Sequence, residues 1–140
     1  MKAFPLEILS PTRSFYVGSC LSLVVPISDG MLGIMADHTP LSAAILDGEV
    51  HFTLPDGTRR ICAVTCGMVD VSGSRVRLLC DTALAPDEID EAAERLAAER
   101  AAEEMKRSQS RKEYRLWQLS LTGALNNLRV KKHSDEKINL

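Results

Sequence analysis

The stretch DGMLGIMADHTPL, from Asp29 to Leu41, is the most informative part of this 140-residue chain. It holds two glycines and a proline, which favour turns, together with the aliphatic residues Leu32, Ile34 and Leu41, which favour burial. It is too apolar for a solvent-exposed loop and too interrupted for a regular strand. We therefore expect a shaped, partly apolar loop on a β domain, which is typical of a contact surface.

The chain on either side of this stretch, up to Pro86, has the short alternating apolar runs of β-strands. Strands are predicted at 6–8, 15–17, 21–25, 50–54, 61–64, 69–71 and 76–79. The segments 55–57 and 72–74 are rich in turn residues and predict hairpin turns. Many short strands at this spacing predict an antiparallel β-sandwich or flattened barrel over residues 1–86.

From Asp87 the pattern changes to that of two helices. We expect Asp87 to cap the first helix. Its apolar face is predicted at Ile89, Ala93, Leu96 and Ala97. This face is mostly alanine and buries little area, so the helices must pack on the β domain, bind a partner or switch between the two.

The segment 108–110 interrupts the helical pattern, and a second helix follows. Its predicted apolar stripe consists of Tyr114, Trp117, Leu121, Leu125 and Leu128. From residue 130 the tail is polar and is expected to fray. The predicted fold is therefore α+β, with a sandwich over 1–86 and a two-helix antiparallel hairpin with a polar tail over 87–140.

Composition argues against several classes of protein. A net charge of −2 argues against nucleic-acid binding. No apolar run approaches the roughly 20 residues that span a bilayer. The N-terminus lacks the basic region and apolar core of an export signal. We expect a cytoplasmic protein, or one attached to a membrane only through its partners.

No catalytic or metal site is predicted. Cys20, Cys62, Cys66 and Cys80 are expected to be buried, reduced thiols. On a strand, Cys62 and Cys66 would lie about 13 Å apart, too far to share a zinc ion or a disulfide. His38 is expected to make a hydrogen bond that fixes its loop, with proton chemistry as the alternative. We therefore expect a binding or mechanical protein without a cofactor.

The order of motifs resembles the epsilon subunit of bacterial F-type ATP synthases. The family's aspartate-glycine, leucine-glycine and histidine-x-proline-leucine pattern corresponds to residues 29–41. Four further segments resemble family motifs: Phe15-Tyr16-Val17-Gly18, Cys66-Gly67-Met68-Val69-Asp70-Val71, Leu79-Cys80-Asp81-Thr82-Ala83 and Leu128-Arg129-Val130. Met31 replaces a common acidic residue, and Ala36, Asp37 and Thr39 also depart from the pattern.

The resemblance implies a rotor subunit in the central stalk of a proton-translocating ATP synthase, non-catalytic by itself, at the cytoplasmic face of the cell membrane. It implies that the sandwich binds the gamma subunit and the ring of c subunits. The contact residues implied for this surface are Asp29, Gly30, Met31, Leu32, His38 and Pro40.

The resemblance also implies that the helices inhibit ATP hydrolysis. Basic residues of the second helix would then meet acidic surfaces of the beta subunits: Arg111, Lys112, Arg115, Arg129, Lys131 and Lys132. An ordinary solvated helix face is the alternative interpretation of these residues.

Some family members bind ATP through an isoleucine/leucine-aspartate-x-x-arginine-alanine motif. Here the arginine position is Ala93, and further positions hold Leu84, Gly123 and Asn127, which leaves Arg100 as the cation that remains. Since phosphate recognition needs several convergent cations, we expect weak or no ATP binding. The alternatives to a rotor subunit are a free-standing two-domain adaptor or ligand sensor of this fold, and a small enzyme with an unrecognised site.

Overall fold

The computed structural model describes residues 1–138, with side chains to residue 135, and divides into two compact units. The first unit is Met1–Ala85 and the second begins at Pro86.

The first unit is a β-sandwich of two five-stranded sheets. Its strands are β1 Phe4–Leu9, β2 Ser14–Cys20, β3 Ser22–Ile27, β4 Gly30–Met35, β5 Leu41–Ile45, β6 Gly48–Thr53, β7 Arg59–Val64, β8 Gly67–Ser72, β9 Arg75–Cys80 and β10 Ala83–Leu84. Sheet I has the order β2-β1-β9-β8-β5, and sheet II has the order β10-β7-β6-β3-β4. The predicted sandwich is confirmed, with one parallel pairing, between β1 and β9.

The core lies between the two sheets and is built largely from alternate residues of the strands. In β9, for example, Val76, Leu78 and Cys80 are buried while the intervening residues are exposed. Phe52 and Tyr16 supply an aromatic contact, with ring centroids 5.0 Å apart. Because fully burying one aliphatic side chain contributes about 1.5–3 kcal/mol, such rows are sufficient to fix the sandwich despite the few aromatic residues.

The prediction that residues 29–41 form a loop is wrong. Gly30–Met35 is the regular strand β4, which pairs with β3 from Ile27↔Gly30 to Ser22↔Met35. A two-residue turn precedes it, and Gly30 has φ +124°, a conformation that favours glycine. Gly33 is tolerated inside the strand because β4 lies at a sheet edge. Strands β5 and β10 were also not predicted.

The second unit contains a 3₁₀ turn Pro86–Glu88 and the helices α1 Glu91–Arg107 and α2 Arg111–Ile138. The predicted break at 108–110 is confirmed. The predicted cap is wrong, because Asp90 rather than Asp87 precedes the helix and its carboxylate accepts a hydrogen bond from the Ala93 N–H at 3.1 Å. The helices are antiparallel, with Asn127 Nδ2 donating to Glu94 Oε1 at 3.2 Å.

The buried faces of the helices differ from the predicted ones. In α1 the buried residues are Ala98 and Ala101, whereas Ala93, Leu96 and Ala97 are exposed. The predicted stripe of α2 is partly wrong, because Tyr114 and Leu125 are exposed. Ile89, also predicted on the first face, is buried but precedes α1, and Leu96 is 68% exposed. Trp117, Leu121 and Leu128 of the predicted α2 stripe are half-buried.

The prediction of a frayed tail is wrong for the described residues. Helix α2 continues to Ile138, and Val130 is only 1% exposed. The last two residues of the predicted tail, 139 and 140, lie outside the described residues.

Candidate partner-binding surfaces

The sandwich presents its turns at two opposite ends. One end carries five turns, around residues 10–13, 28–29, 46–47, 65–66 and 81–82. The pairings Ile27↔Gly30, Gly48↔Val64 and Gly67↔Cys80 place these turns together. We call this end of the sandwich the Asp29 end. The segments 36–40, 54–58 and 73–74 lie at the other end, which we call the His38 end. The six residues of β4 separate the two ends by about 20 Å.

The structure divides the predicted contact residues between these ends. Asp29, Gly30 and Met31 lie at the Asp29 end, where Met31 is 56% exposed. His38 and Pro40 lie at the other end. Leu32 is half-buried and packs against the core. A single flat partner surface therefore cannot cover all six residues.

His38 makes the local hydrogen bond expected for it. Its Nδ1 lies 2.7 Å from the Thr39 carbonyl oxygen, and its backbone N–H donates to the Met35 carbonyl at 3.3 Å. The preceding residue, Asp37, has φ +64° and forms an exposed ion pair with Lys2 at 3.1 Å. These contacts shape the turn after β4, and the partner of the His38 ring in this hydrogen bond is a backbone carbonyl oxygen.

An apolar row crosses the outer face of sheet I, and it was not predicted. Leu9, Leu79, Met68 and Ala44 are consecutive cross-strand partners on this face. Met68 is 48% exposed and Leu79 is 44% exposed. We call these four residues the sheet I row. The alternation of β9 could have revealed this row, because Leu79 lies on the same exposed side of the strand as Arg75 and Arg77.

An open groove of about 810 Å³ runs along the sheet I row towards the Asp29 end. It is lined by Leu9, Ser10, Pro11, Cys66, Gly67, Met68, Leu79, Cys80 and Asp81. Beside the groove lies a row of polar side chains that pair with one another. Arg77 Nε donates to Glu7 Oε2 at 3.1 Å, and Ser42 Oγ donates to Asp70 Oδ1 at 2.8 Å. The polar row is thus internally paired, and the apolar row beside it is open to a partner.

The thiols fall into two groups. Cys20, Cys62 and Cys80 are buried, and burial raises their pKa values to about 11, 12 and 11. Cys66 is exposed, so the prediction that all four thiols are buried is wrong for it. Cys66 follows β7 at the Asp29 end and does not continue the strand of Cys62.

The described residues contain no group of three or more histidine, cysteine or acidic side chains that could hold a metal ion. Within the same part of the chain, no helix is both long enough and apolar enough to cross a membrane.

The predicted basic residues of the second unit are separated along α2. Arg111, Lys112 and Arg115 are exposed in its first turns and line an open pocket of about 700 Å³ at the helix junction. Arg129 is exposed 18 residues further along, which corresponds to about 27 Å of helix. Lys131 and Lys132 follow soon after Arg129, so the six predicted residues cannot form one compact cluster.

Comparison with known proteins accounts for both units. The family model described as ATP synthase, Delta/Epsilon chain, beta-sandwich domain matches residues 3–86. The ATP synthase epsilon chain of Caldanaerobacter subterraneus is 33% identical over 92% of this chain and 94% of its own. That of Caldicellulosiruptor bescii is 33% identical over 99% of this chain and 100% of its own. This chain belongs to the ATP synthase epsilon-chain family.

Solved structures share the fold of this epsilon-family chain. A chain in the Euglena gracilis mitochondrial ATP synthase, in a structure of OSCP, F1 and c-ring, aligns with a TM-score of 0.71 at 16% identity, covering 84% of this chain and 74% of that one. A chain in the Tetrahymena thermophila mitochondrial ATP synthase, in a structure of central stalk and c-ring, aligns with a TM-score of 0.52 at 12% identity, covering 84% and 95%.

The residues at the family's nucleotide motif are engaged elsewhere in this epsilon-family chain. The Asp90 carboxylate caps α1, and Asn127 donates to Glu94. The Arg100 guanidinium lies over the Trp117 ring, with its carbon 5.6 Å from the ring centroid. The motif's arginine position is occupied by Ala93, so these side chains do not provide several cations at one point.

Proposed function

We propose that this chain is a rotor subunit of the central stalk of a proton-translocating ATP synthase, in which it links the gamma subunit to the ring of c subunits. The observation that carries the proposal is the relatedness to bacterial epsilon chains, which extends over both the sandwich and the helices. In this role the chain has no catalytic site or cofactor of its own. Its partners hold it peripherally at the cytoplasmic face of the cell membrane.

We assign gamma binding to the sheet I row. Its Leu and Met side chains are half-exposed on a rigid sheet, where covering them removes apolar surface from water at little cost in conformational entropy. The paired charges beside it form the polar rim that surrounds the apolar centre of many interfaces. A Leu79→Lys substitution should therefore weaken gamma binding.

We assign the contact with the c-ring to Asp29, Gly30 and Met31 at the Asp29 end. Met31 is apolar where the family commonly has an acid, so the contact at this position depends less on charge. Leu32, His38 and Pro40 stay predicted contacts. Leu32 packs against the core, so it would support the contact indirectly, whereas His38 and Pro40 lie at the His38 end.

We propose that α1 and α2 inhibit ATP hydrolysis by changing position. Their shared interface is built on the small residues Ala98, Ala101 and Ala124, so its disruption costs little apolar burial. The exposed cations Arg111, Lys112 and Arg115 are available to acidic surfaces of the beta subunits.

Truncation after Pro86 tests the inhibitory role. The assembled complex with the truncated chain should hydrolyse ATP faster than the complex with the full chain. The triple Arg111→Glu, Lys112→Glu, Arg115→Glu variant should do the same. Arg129→Glu, about 27 Å from the junction, tests separately whether that predicted contact also contributes to inhibition. Unchanged hydrolysis in a complex that retains the truncated chain would contradict the inhibitory role.

We propose that the isolated chain binds ATP weakly or not at all. The arginine position is Ala93, and Arg100 alone supplies little phosphate recognition. Isothermal titration calorimetry of the full chain with ATP should show no saturable heat at micromolar concentrations. Micromolar affinity would refute this part of the proposal.

Co-purification tests the rotor function itself. Tagged full-length chain should retain gamma and c subunits when the complex is extracted from membranes in mild detergent. Recovery of the chain without either would instead favour the free-standing adaptor, and turnover of a substrate by the isolated chain would favour an enzyme.

A further inference from the structure

We propose that the cation–π contact between Arg100 and Trp117, which we call the Arg100–Trp117 stack, sets how readily α1 and α2 separate and so how strongly the chain inhibits ATP hydrolysis. The inference rests on the proposed inhibitory role of the helices and names side chains that control it. Because both members of the stack belong to the chain, it closes without a bound ligand.

The interface between α1 and α2 is built on small side chains. Ala98 and Ala101 of α1 and Ala124 of α2 are buried. An alanine methyl group removes much less apolar surface from water than a leucine side chain does. Leu96, the leucine of α1, is 68% exposed and contributes little to the interface. The alanine contacts therefore stabilise the pairing of the helices only weakly.

The Arg100–Trp117 stack lies where the helices are loosely packed. An open groove of about 320 Å³ runs between α1 and α2, and its lining residues are Ala93, Leu96, Ala97, Arg100, Trp117 and Ser120. The Arg100 guanidinium carbon lies 5.6 Å from the centroid of the half-buried Trp117 ring. The stack thus joins the two helices beside a groove that small side chains leave open.

A second contact fixes the register in which the stack forms. Asn127 of α2, which is 9% exposed, donates from Nδ2 to Glu94 Oε1 of α1 at 3.2 Å. Glu94 and Arg100 are six positions apart, which corresponds to about 9 Å along α1. The helices are therefore held together at two separate levels, of which the stack is the one nearer the helix junction.

Arginine is well suited to this contact. Its planar guanidinium stacks on aromatic rings and is more weakly hydrated than an ammonium group. At an exposed site such a contact changes an equilibrium constant by about two- to fivefold. Since the stack is made only while the helices are paired, we expect its loss to raise the ratio of separated to paired helices by the same factor.

A double-mutant cycle in the full chain tests the stack. The variants are Arg100→Gln, Trp117→Leu and the double variant, and helix unfolding in urea is followed by circular dichroism at 222 nm. Glutamine has nearly the helix propensity of arginine, so Arg100→Gln removes the cation without weakening α1 itself. It should lower the folding equilibrium constant of the helical unit about two- to fivefold in the wild-type background, and leave it unchanged in the Trp117→Leu background.

Arg95→Gln is the matched control. Arg95 lies on the same helix and is 67% exposed, but its Nη2 pairs with Glu91 Oε1 of α1 itself at 2.6 Å. The effect of Arg95→Gln should be the same in both Trp117 backgrounds. NMR provides an independent signature, because the ring current of Trp117, the single tryptophan of the chain, should shift the Arg100 side-chain proton resonances upfield, and Trp117→Leu should abolish this shift.

The regulatory part is tested in the assembled complex. Each full-length variant is assembled with gamma and the other F1 subunits, and ATP hydrolysis is measured. Arg100→Gln should raise the ratio of inhibited to active complexes about two- to fivefold and slow hydrolysis accordingly. Arg100→Lys, which keeps a cation, should lie between this variant and the wild type, and Arg95→Gln should match the wild type.

Absence of coupling between Arg100 and Trp117 would overturn the inference, and so would coupling that leaves hydrolysis by the Arg100→Gln complex equal to that of the Arg95→Gln complex. If truncation after Pro86 leaves hydrolysis unchanged, the proposed inhibitory role fails, while coupling measured in the full chain alone would still establish the stack.

Discussion

Replacing Gly67 with alanine should strongly destabilise the sandwich. Gly67 begins β8 opposite Cys80 of β9, and a Cβ at this position would lie 1.9 Å from the Leu79 carbonyl oxygen and 2.7 Å from Cys80 Cα. Both obstacles are backbone atoms, which no rotamer change can remove. Moving the first contact to 3.0 Å requires a shift of about 1.1 Å between the strands, the difference between 3.0 and 1.9.

The magnitude follows from two contributions. Overpacking in a well-packed region costs about 1–3 kcal/mol. Separating β8 from β9 at this point also weakens about two ladder hydrogen bonds, each worth about 1 kcal/mol. The free energy of unfolding should therefore fall by roughly 3–5 kcal/mol, which corresponds to a fall in Tm of more than about 12 °C for a domain of this size.

Gly33→Ala is the matched control. Gly33 also lies inside a strand, but no atom lies within 4 Å of the position its Cβ would take. Its alanine variant should stay within about 1 kcal/mol of the wild type. Both glycines belong to β-strands, and the tertiary contact at Gly67 distinguishes them.

The measurement must report on the sandwich alone, because the chain has two compact units and two-state unfolding is not assured for such chains. Urea unfolding followed by NMR signals of the buried residues Val69 and Leu78 satisfies this condition, whereas Trp117 fluorescence reports on the helices. A Gly67→Ala variant within about 1 kcal/mol of the wild type would refute the close-contact argument.

Three further predictions concern the helix cap and the thiols. Asp90→Ala should destabilise the helical unit by about 1 kcal/mol, measured by circular dichroism during urea unfolding, while Asp87→Ala should have little effect; the reverse order would restore Asp87 as the cap. In the native chain Cys66 should react rapidly with a thiol reagent such as DTNB and the other three cysteines slowly, with all four reacting in denaturant. The pKa values of the buried thiols are raised by folding, so their contribution to stability is fully present below about pH 9 and is lost as the pH rises towards 11–12. Stability that stays constant across that range would contradict this assignment.

The sequence determined most strands of the sandwich through local alternation. In strands such as β6 and β9, buried and more exposed residues alternate with a period of two. An extended strand with this pattern places its apolar residues on one face, which packs on the core. The same rule failed at β4, where Gly33 interrupts the pattern and the strand lies at an edge with one neighbour. Pairing with β3 supplies the hydrogen bonds that make this segment a strand.

The contact residues illustrate the same division. Sequence proximity placed Asp29 and His38 in one loop, whereas the strand between them moves them to opposite ends. Conversely, Met31 and Leu46 are fifteen positions apart in the chain, and the structure places them on either side of Pro26. Distance along a chain limits how far apart residues can lie but does not determine which distant residues meet.

The helices were predicted from composition, but their faces were not. Alanine-rich helices have weak periodicity, so several faces of α1 are nearly equal in apolar content, and the packing of α2 selects Ala98 and Ala101. By itself, then, the sequence determined the α+β class, the position of the helical break and the family, because these depend on local pattern and motif order. Only the tertiary structure decided which glycines are irreplaceable, which thiol is reactive and which turns share an end, because each depends on atoms brought together from distant parts of the chain.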